Sequence, residues 1–184
     1  MNALRITGLI FLLGVTGQAQ HNQHVTSEGN PTAIVIFMAV DCPVTQKYMH
    51  TVKSIAHLYQ NKISVTGYFP AGLTRKTERQ FRKEYKLPGL IKLVDDKEHT
   101  VTNRFGATIT PEVFLLDKEG RILYSGAIDN WFFELGRYRP EITENYLRDA
   151  INSCLEGKLP AITKTTAIGC FIQQIKTPNQ MHQH

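Results

Sequence analysis

Three things are scarce or missing in this sequence. No apolar run reaches the ~20 residues a membrane-spanning helix needs. The longest N-terminal run, Ile6 to Val15, is about half that length, and no Cys follows it to carry a lipid. Low-complexity tracts and the fixed periods of solenoids are also absent, so the middle of the chain reads as globular rather than disordered or repetitive. Cysteine is the third scarcity. The 184 residues contain three, Cys42, Cys154 and Cys170. An odd number leaves at least one thiol outside any intramolecular disulfide. The 42% hydrophobic content is enough for one ordinary core and too little for two large domains.

What is present at the N-terminus is Arg5, then the apolar run, then Gly17-Gln18-Ala19, with small residues at the two positions a signal peptidase reads. The expectation is a cleavable secretory signal over residues 1–19, a single domain over 30–172 and a flexible tail over 173–184. That places the protein in the periplasm or outside the cell, with no stable membrane span.

The net charge is +5, and the basic residues Arg75, Lys76, Arg79, Arg82, Lys83 and Lys86 cluster together. Their spacing is that of one solvated helix face, with Phe81 and Tyr85 a turn apart on the other side. Glu78 and Glu84 lie among them and provide ion pairing. This is an ordinary amphipathic surface helix, and nucleic acid is not an expected partner.

Ala33 to Val40 is a continuous apolar, β-branched run of the kind that forms a central strand covered on both faces. It stops at Asp41-Cys42-Pro43. From Val44 onward the apolar positions Tyr48, Val52, Ile55 and Leu58 recur at helical spacing, and Pro43 suits the first helical position, where its missing N–H costs nothing. Lys62 to Phe69 reads as a second strand, Thr74 to Lys86 as a helix capped by Thr74, and Leu90 to Val94 as a third strand. A short helix over Thr100 to Phe105 precedes the hairpin formed by Glu112 to Asp117 and Ile122 to Ala127. A last helix runs from about Glu141 to Leu155. The order β-α-β-α-β-α-β-β-α defines an α/β chain with a central mixed sheet, a C-terminal β-hairpin and flanking helices.

A Cys where a buried strand gives way to a helix meets unpaired backbone N–H groups and the positive end of the helix dipole. Both favour thiolate, the species that attacks disulfides and peroxides. Cys42 is therefore the candidate nucleophile, with Asp41 opposing this by its charge. A buried structural Cys is the alternative role. Thr110-Pro111, immediately ahead of a strand, is the second feature, expected to be a cis peptide whose loop faces Cys42.

The stretches VIFMAVDCPVTQKY (35–48), VTNRFGATITPEVFLLD (101–117) and ILYSGAIDN (122–130) resemble the redoxin, or alkyl hydroperoxide reductase/thiol-specific antioxidant-like, thioredoxin-fold family. The likeness is to exported bacterial members with Cys-Pro in place of Cys-x-x-Cys and a Gly-Cys near the C-terminus, here Gly169-Cys170. The resemblance implies a thioredoxin-like fold and thiol–disulfide or peroxiredoxin-like redox chemistry. It implies no cofactor. Its partners would be protein thiols and disulfides or a small peroxide, with an external thiol as a candidate reductant. A substrate groove would be shaped by Pro43, Thr45, Thr110 and Pro111.

The departures matter as much. Thr45 stands where a thioredoxin-type dithiol has its second Cys, Ala39 where a peroxiredoxin has a peroxide-binding hydroxyl, and Gln46 where a copper chaperone of the cytochrome-oxidase assembly type has a Cys. Cys170 is the candidate resolving thiol, completing the cycle if the tail folds back over the sheet. Two pairings stay open: Cys42 with Cys170, or a permanent Cys154–Cys170 disulfide that leaves Cys42 free. The rival class is a non-enzymatic module that binds a protein partner or copper through Cys42, Cys170 and the terminal His21, His24, His182 and His184. Those histidines read more simply as solvated ends, as Asp95, Asp96 and His99 read as a polar turn, and no metal site is assigned. The aromatic trio Trp131, Phe132 and Phe133 is expected in the core or in a lid.

Overall fold

The computed structural model describes residues 31–173. The expected leader and all but the first residue of the expected tail lie outside the described residues. Five strands form the main sheet, in the order β3-β2-β1-β5-β6. They are β1 (Pro31–Phe37), β2 (Ser64–Phe69), β3 (Ile91–Asp95), β5 (Glu112–Asp117) and β6 (Ile122–Gly126). β1, β2 and β3 are parallel, while β5 pairs antiparallel with both β1 and β6, so the sheet is mixed as expected.

The alternation of β1 side chains divides the interior in two. Ile34, Ile36 and Met38 point into the larger cluster with α1 (Pro43–Tyr59), Phe81 of α2 (Arg75–Tyr85) and Leu147, Ile151 and Cys154 of α4 (Tyr146–Leu155). Val35 and Phe37 point the other way, into a smaller cluster with Phe114, Leu116 and Ile172, flanked by Val101 and Phe105. Val101 and Phe105 belong to α3 (Thr100–Phe105). Covering a sheet on both faces is what makes its middle strand read as an unbroken apolar run.

Several boundaries differ from the sequence reading, each for a local reason. β1 ends at Phe37 rather than Val40 because the Cys42 N–H turns back to the Ala39 carbonyl at 3.3 Å. β2 starts at Ser64 rather than Lys62 because the N–H groups of Lys62 and Ile63 still bond to the Tyr59 carbonyl at the end of α1. The last helix starts at Tyr146 rather than Glu141: the Asn130 carboxamide oxygen accepts from the N–H groups of Thr143 and Glu144 and holds that stretch as a loop.

Two elements were not foreseen. A small hairpin, β7 (Phe132–Glu134) with β8 (Arg137–Tyr138), follows the main sheet. It packs Phe132 into the core beside Tyr48 and leaves Phe133 exposed. The segment after α4 runs back across the molecule and ends in β9 (Cys170–Phe171), paired antiparallel with β4 (Ile109–Thr110). Among the described residues no helix is long and apolar enough to cross a membrane.

Candidate active site

Cys42 is the N-cap of α1. Its backbone is extended (φ −76°, ψ 114°), and its Sγ accepts the Thr45 N–H at 3.5 Å, one of the donors a helix leaves free at its start. Pro43 at the first helical position has no N–H to offer and lies exposed. The turn ahead of Cys42 is fixed by Gln46, whose Nε2 donates to the Val40 carbonyl at 2.9 Å.

On the opposite side stands the loop before β5. The Thr110–Pro111 peptide is cis, as the sequence led us to expect, and in the thiol form Cys42 Sγ donates to the Thr110 carbonyl at 3.0 Å. Glu112 Oε2 holds this loop by accepting from Thr108 and Ile109 N–H at 3.0 and 3.4 Å.

β9 brings in the third participant. Cys170 lies directly opposite Thr110 in the β4–β9 pair and lines the same cleft as Cys42, near enough for its thiol to act on Cys42 electrostatically. None of the three cysteines is in a disulfide. Of the two pairings left open by the sequence, the fold therefore brings together Cys42 and Cys170. Cys154 is instead 1% exposed within the larger cluster, where burial alone pushes its thiol up.

The two neighbouring thiols are electrostatically unlike. Burial is the largest single influence on Cys42 and raises its pKa, yet the sum runs the other way, to below the ordinary value. Hydrogen bonds outweigh desolvation: first from the Cys170 thiol, then from the Thr45 N–H and the Thr110 and Thr45 hydroxyls. The Thr110 carbonyl is the one contact favouring the neutral thiol. Cys170 moves oppositely. Burial, donation to Cys42 and the charges of Cys42 and Asp41 push it up to about 12. Of the two, Cys42 is the group that ionises first, and Cys170 stays the thiol donor.

The remaining expected groove residues separate. A cleft of about 560 Å³ is lined by Ala39, Asp41, Cys42, Thr110 and Cys170, among others. Thr45 does not line it: the residue is fully buried beneath Cys42 and acts through its N–H and hydroxyl. Pro43 is on the outer surface of the helix start. Pro111 faces away, into a small void shared with Tyr48, Asp129 and Phe132. Asp129 accepts from the Tyr48 hydroxyl at 2.6 Å and the Trp131 N–H at 2.9 Å, and burial holds its carboxyl above the usual range.

Pro70, Ala71, Lys97 and His99 also line the cleft, and sequence reasoning did not assign them to it. His99 and Asp96 do make a polar turn. Asp96 accepts from the N–H groups of Val101 and Thr102 at 3.0 and 2.8 Å and so starts α3, while His99 Nε2 bonds to the Pro70 carbonyl at 3.1 Å. Among the described residues no three His, Cys, Asp or Glu side chains are grouped to hold a metal ion. The terminal histidines lie outside the described residues.

A mixed sheet, a cysteine capping the first long helix and a cis-proline loop facing it define the thioredoxin-like class of folds. A family model for the thioredoxin-like domain matches residues 19–134, more than half the chain, and the chain belongs to that family. The match includes Cys42 and the cis-proline loop and stops short of Cys170. No curated protein matches. Among solved structures, an uncharacterized conserved protein from Geobacillus kaustophilus superposes with a TM-score of 0.69 at 18% identity, over 82% of this chain and 81% of its own. A hypothetical protein from Sinorhizobium meliloti 1021 gives 0.67 at 24% identity, over 82% and 84%. A thioredoxin-like protein in its oxidized form gives 0.52 at 16% identity, over 72% and 85%. At these identities the likeness is one of fold.

Proposed function

We propose that this chain is an exported thiol–disulfide oxidoreductase whose dithiol is split between a helix start and a C-terminal strand: Cys42 attacks and Cys170 resolves. The observation that carries the reading is the placing of Cys170, across the β4–β9 pair from Thr110, beside a Cys42 Sγ that caps α1 and bonds to the Thr110 carbonyl. Cys42 thiolate attacks one sulfur of a disulfide RS–SR. The S–S bond breaks, a Cys42–S–S–R bond forms and RS⁻ leaves. That leaving thiolate takes the proton of Cys170.

The order of events is built into the electrostatics. While Cys42 is anionic, its charge and its demand for a hydrogen bond keep Cys170 protonated. Once Cys42 is in a mixed disulfide both influences vanish, and Cys170 becomes the easier group to ionise. Its thiolate then attacks Cys42 Sγ, expels the second RS⁻ and closes Cys42–Cys170, so two electrons have passed to the substrate. An external dithiol returns the protein to its reduced form. A disulfide suits the site better than a peroxide because Ala39, which lines the cleft where a peroxiredoxin has a hydroxyl, brings only a methyl.

Alkylation by a small reagent, followed residue by residue against pH, tests this. Cys42 should react ahead of Cys154 and Cys170, with a midpoint below the ~8.5 of a free thiol. A midpoint at or above that value, or a Cys42 inert in the reduced native protein, would remove the enzyme reading.

A further inference from the structure

A polypeptide that delivers a sulfur to Cys42 while pairing as an added strand would run along β4, whose Thr110 carbonyl lies 3.0 Å from Sγ. The chain's own C-terminal segment already runs there. Ile109 pairs with Phe171 and Thr110 with Cys170, and the pairing continues as the Ile172 N–H donates to the Thr108 carbonyl at 2.8 Å. The approach is close enough to require glycine. A Cβ at Gly169 would lie 2.1 Å from the Thr110 oxygen.

The segment is anchored at both ends. Upstream, the Ser125 N–H donates to the Thr163 carbonyl and the Thr165 N–H to the Ser125 carbonyl, at 3.0 and 2.9 Å. Thr165 Oγ1 also accepts the Ala127 N–H and meets the Tyr124 hydroxyl. Downstream, Ile172 is buried in the smaller core cluster. Residues 163–172 therefore form a strap lying on the edge where an incoming strand would add. What stays open beside the sulfurs is the cleft walled by Asp41, Pro70, Ala71, Lys97, His99 and Gln173. Its volume of about 560 Å³ is that of a small-molecule site.

Resting on the proposed function, we infer that the disulfide Cys42 takes from outside the chain is of low molecular weight, and that the strap excludes polypeptide disulfides by occupying their pairing edge. The electron balance is that given above, with RS–SR a small disulfide and an external dithiol as reductant.

The test compares single-turnover oxidation of Cys42, read by quenched mass spectrometry as the mixed disulfide plus the Cys42–Cys170 disulfide that follows it, with two probes. One is 2-hydroxyethyl disulfide. The other is a short extended peptide whose single Cys is disulfide-linked to 2-mercaptoethanol. The wild-type chain should prefer the small probe. Gly169→Val forces the strap from β4 and should raise the peptide-to-small rate ratio about tenfold or more, the gain expected when two ordinary backbone hydrogen bonds become available to the peptide. Ile172→Ser, which keeps the backbone bond to Thr108 but removes the side chain that anchors the strap in the smaller cluster, should move the ratio the same way, and thermal unfolding reports whether each variant is folded. A wild-type chain that takes both probes equally fast, or folded variants that leave the ratio where it was, overturns the strap inference alone. A Cys42 that gives neither an adduct nor a Cys42–Cys170 disulfide with either probe removes the proposed function and this inference with it.

Discussion

Replacing Cys42 by serine is expected to lower disulfide turnover by at least on the order of a thousandfold, because an alcohol stays protonated where the thiol ionises and the reaction has no second route. The fold should survive. Cys42 caps α1 and meets the Thr110 carbonyl, and serine is itself a preferred N-cap that can accept the same Thr45 N–H and donate to the same carbonyl. A steady-state disulfide reductase assay beside a thermal melt separates the two quantities: activity should vanish while the melting temperature moves little. Retained turnover, or loss of activity only in step with loss of folded protein, would mean that Cys42 is a packing residue.

Cys170 substitutions should divide in an informative way. Cys170→Ser keeps a hydroxyl donor beside Cys42 but cannot resolve, so Cys42 should still react quickly and then stop as a mixed disulfide. Turnover should fall on the order of a hundredfold, since an external thiol replaces a neighbour held in place. Cys170→Ala removes the donor as well. Because the Cys170 hydrogen bond is the foremost influence lowering the Cys42 pKa, the alanine variant should also shift the pH midpoint of Cys42 alkylation upward. Intact mass spectrometry of the trapped adduct and the alkylation profile read these separately. Unchanged turnover in Cys170→Ser would assign resolution to an external thiol.

The order of the elements was legible because it rests on local chemistry. The unbroken run in β1 reflects burial on both faces, and the Cys-Pro step marks a helix start at which proline loses no hydrogen bond. The Thr110–Pro111 cis bond was readable only in combination with that step. The strap was not legible. Its ties to β6 and β4 are backbone bonds and single side chains such as Thr165, which leave no period in the sequence. Gly169 was noted only as the neighbour of a cysteine; that it allows close approach to Thr110 depends on which backbone lies opposite. Sequence also placed Thr45 and Pro111 in the groove by proximity to Cys42 and Thr110, although helix geometry turns Thr45 beneath the sulfur and the cis bond turns Pro111 to the far side.

The most direct test of the central claim is disulfide mapping of the full chain after stoichiometric oxidation. Proteolysis without reduction, followed by mass spectrometry, should recover one linked pair, Cys42 with Cys170, and Cys154 as a free thiol, since the first two thiols line one cleft and the third is sealed in the core. A Cys154–Cys170 linkage, or oxidation that ends as sulfinate on Cys42 with Cys170 still free, would contradict it.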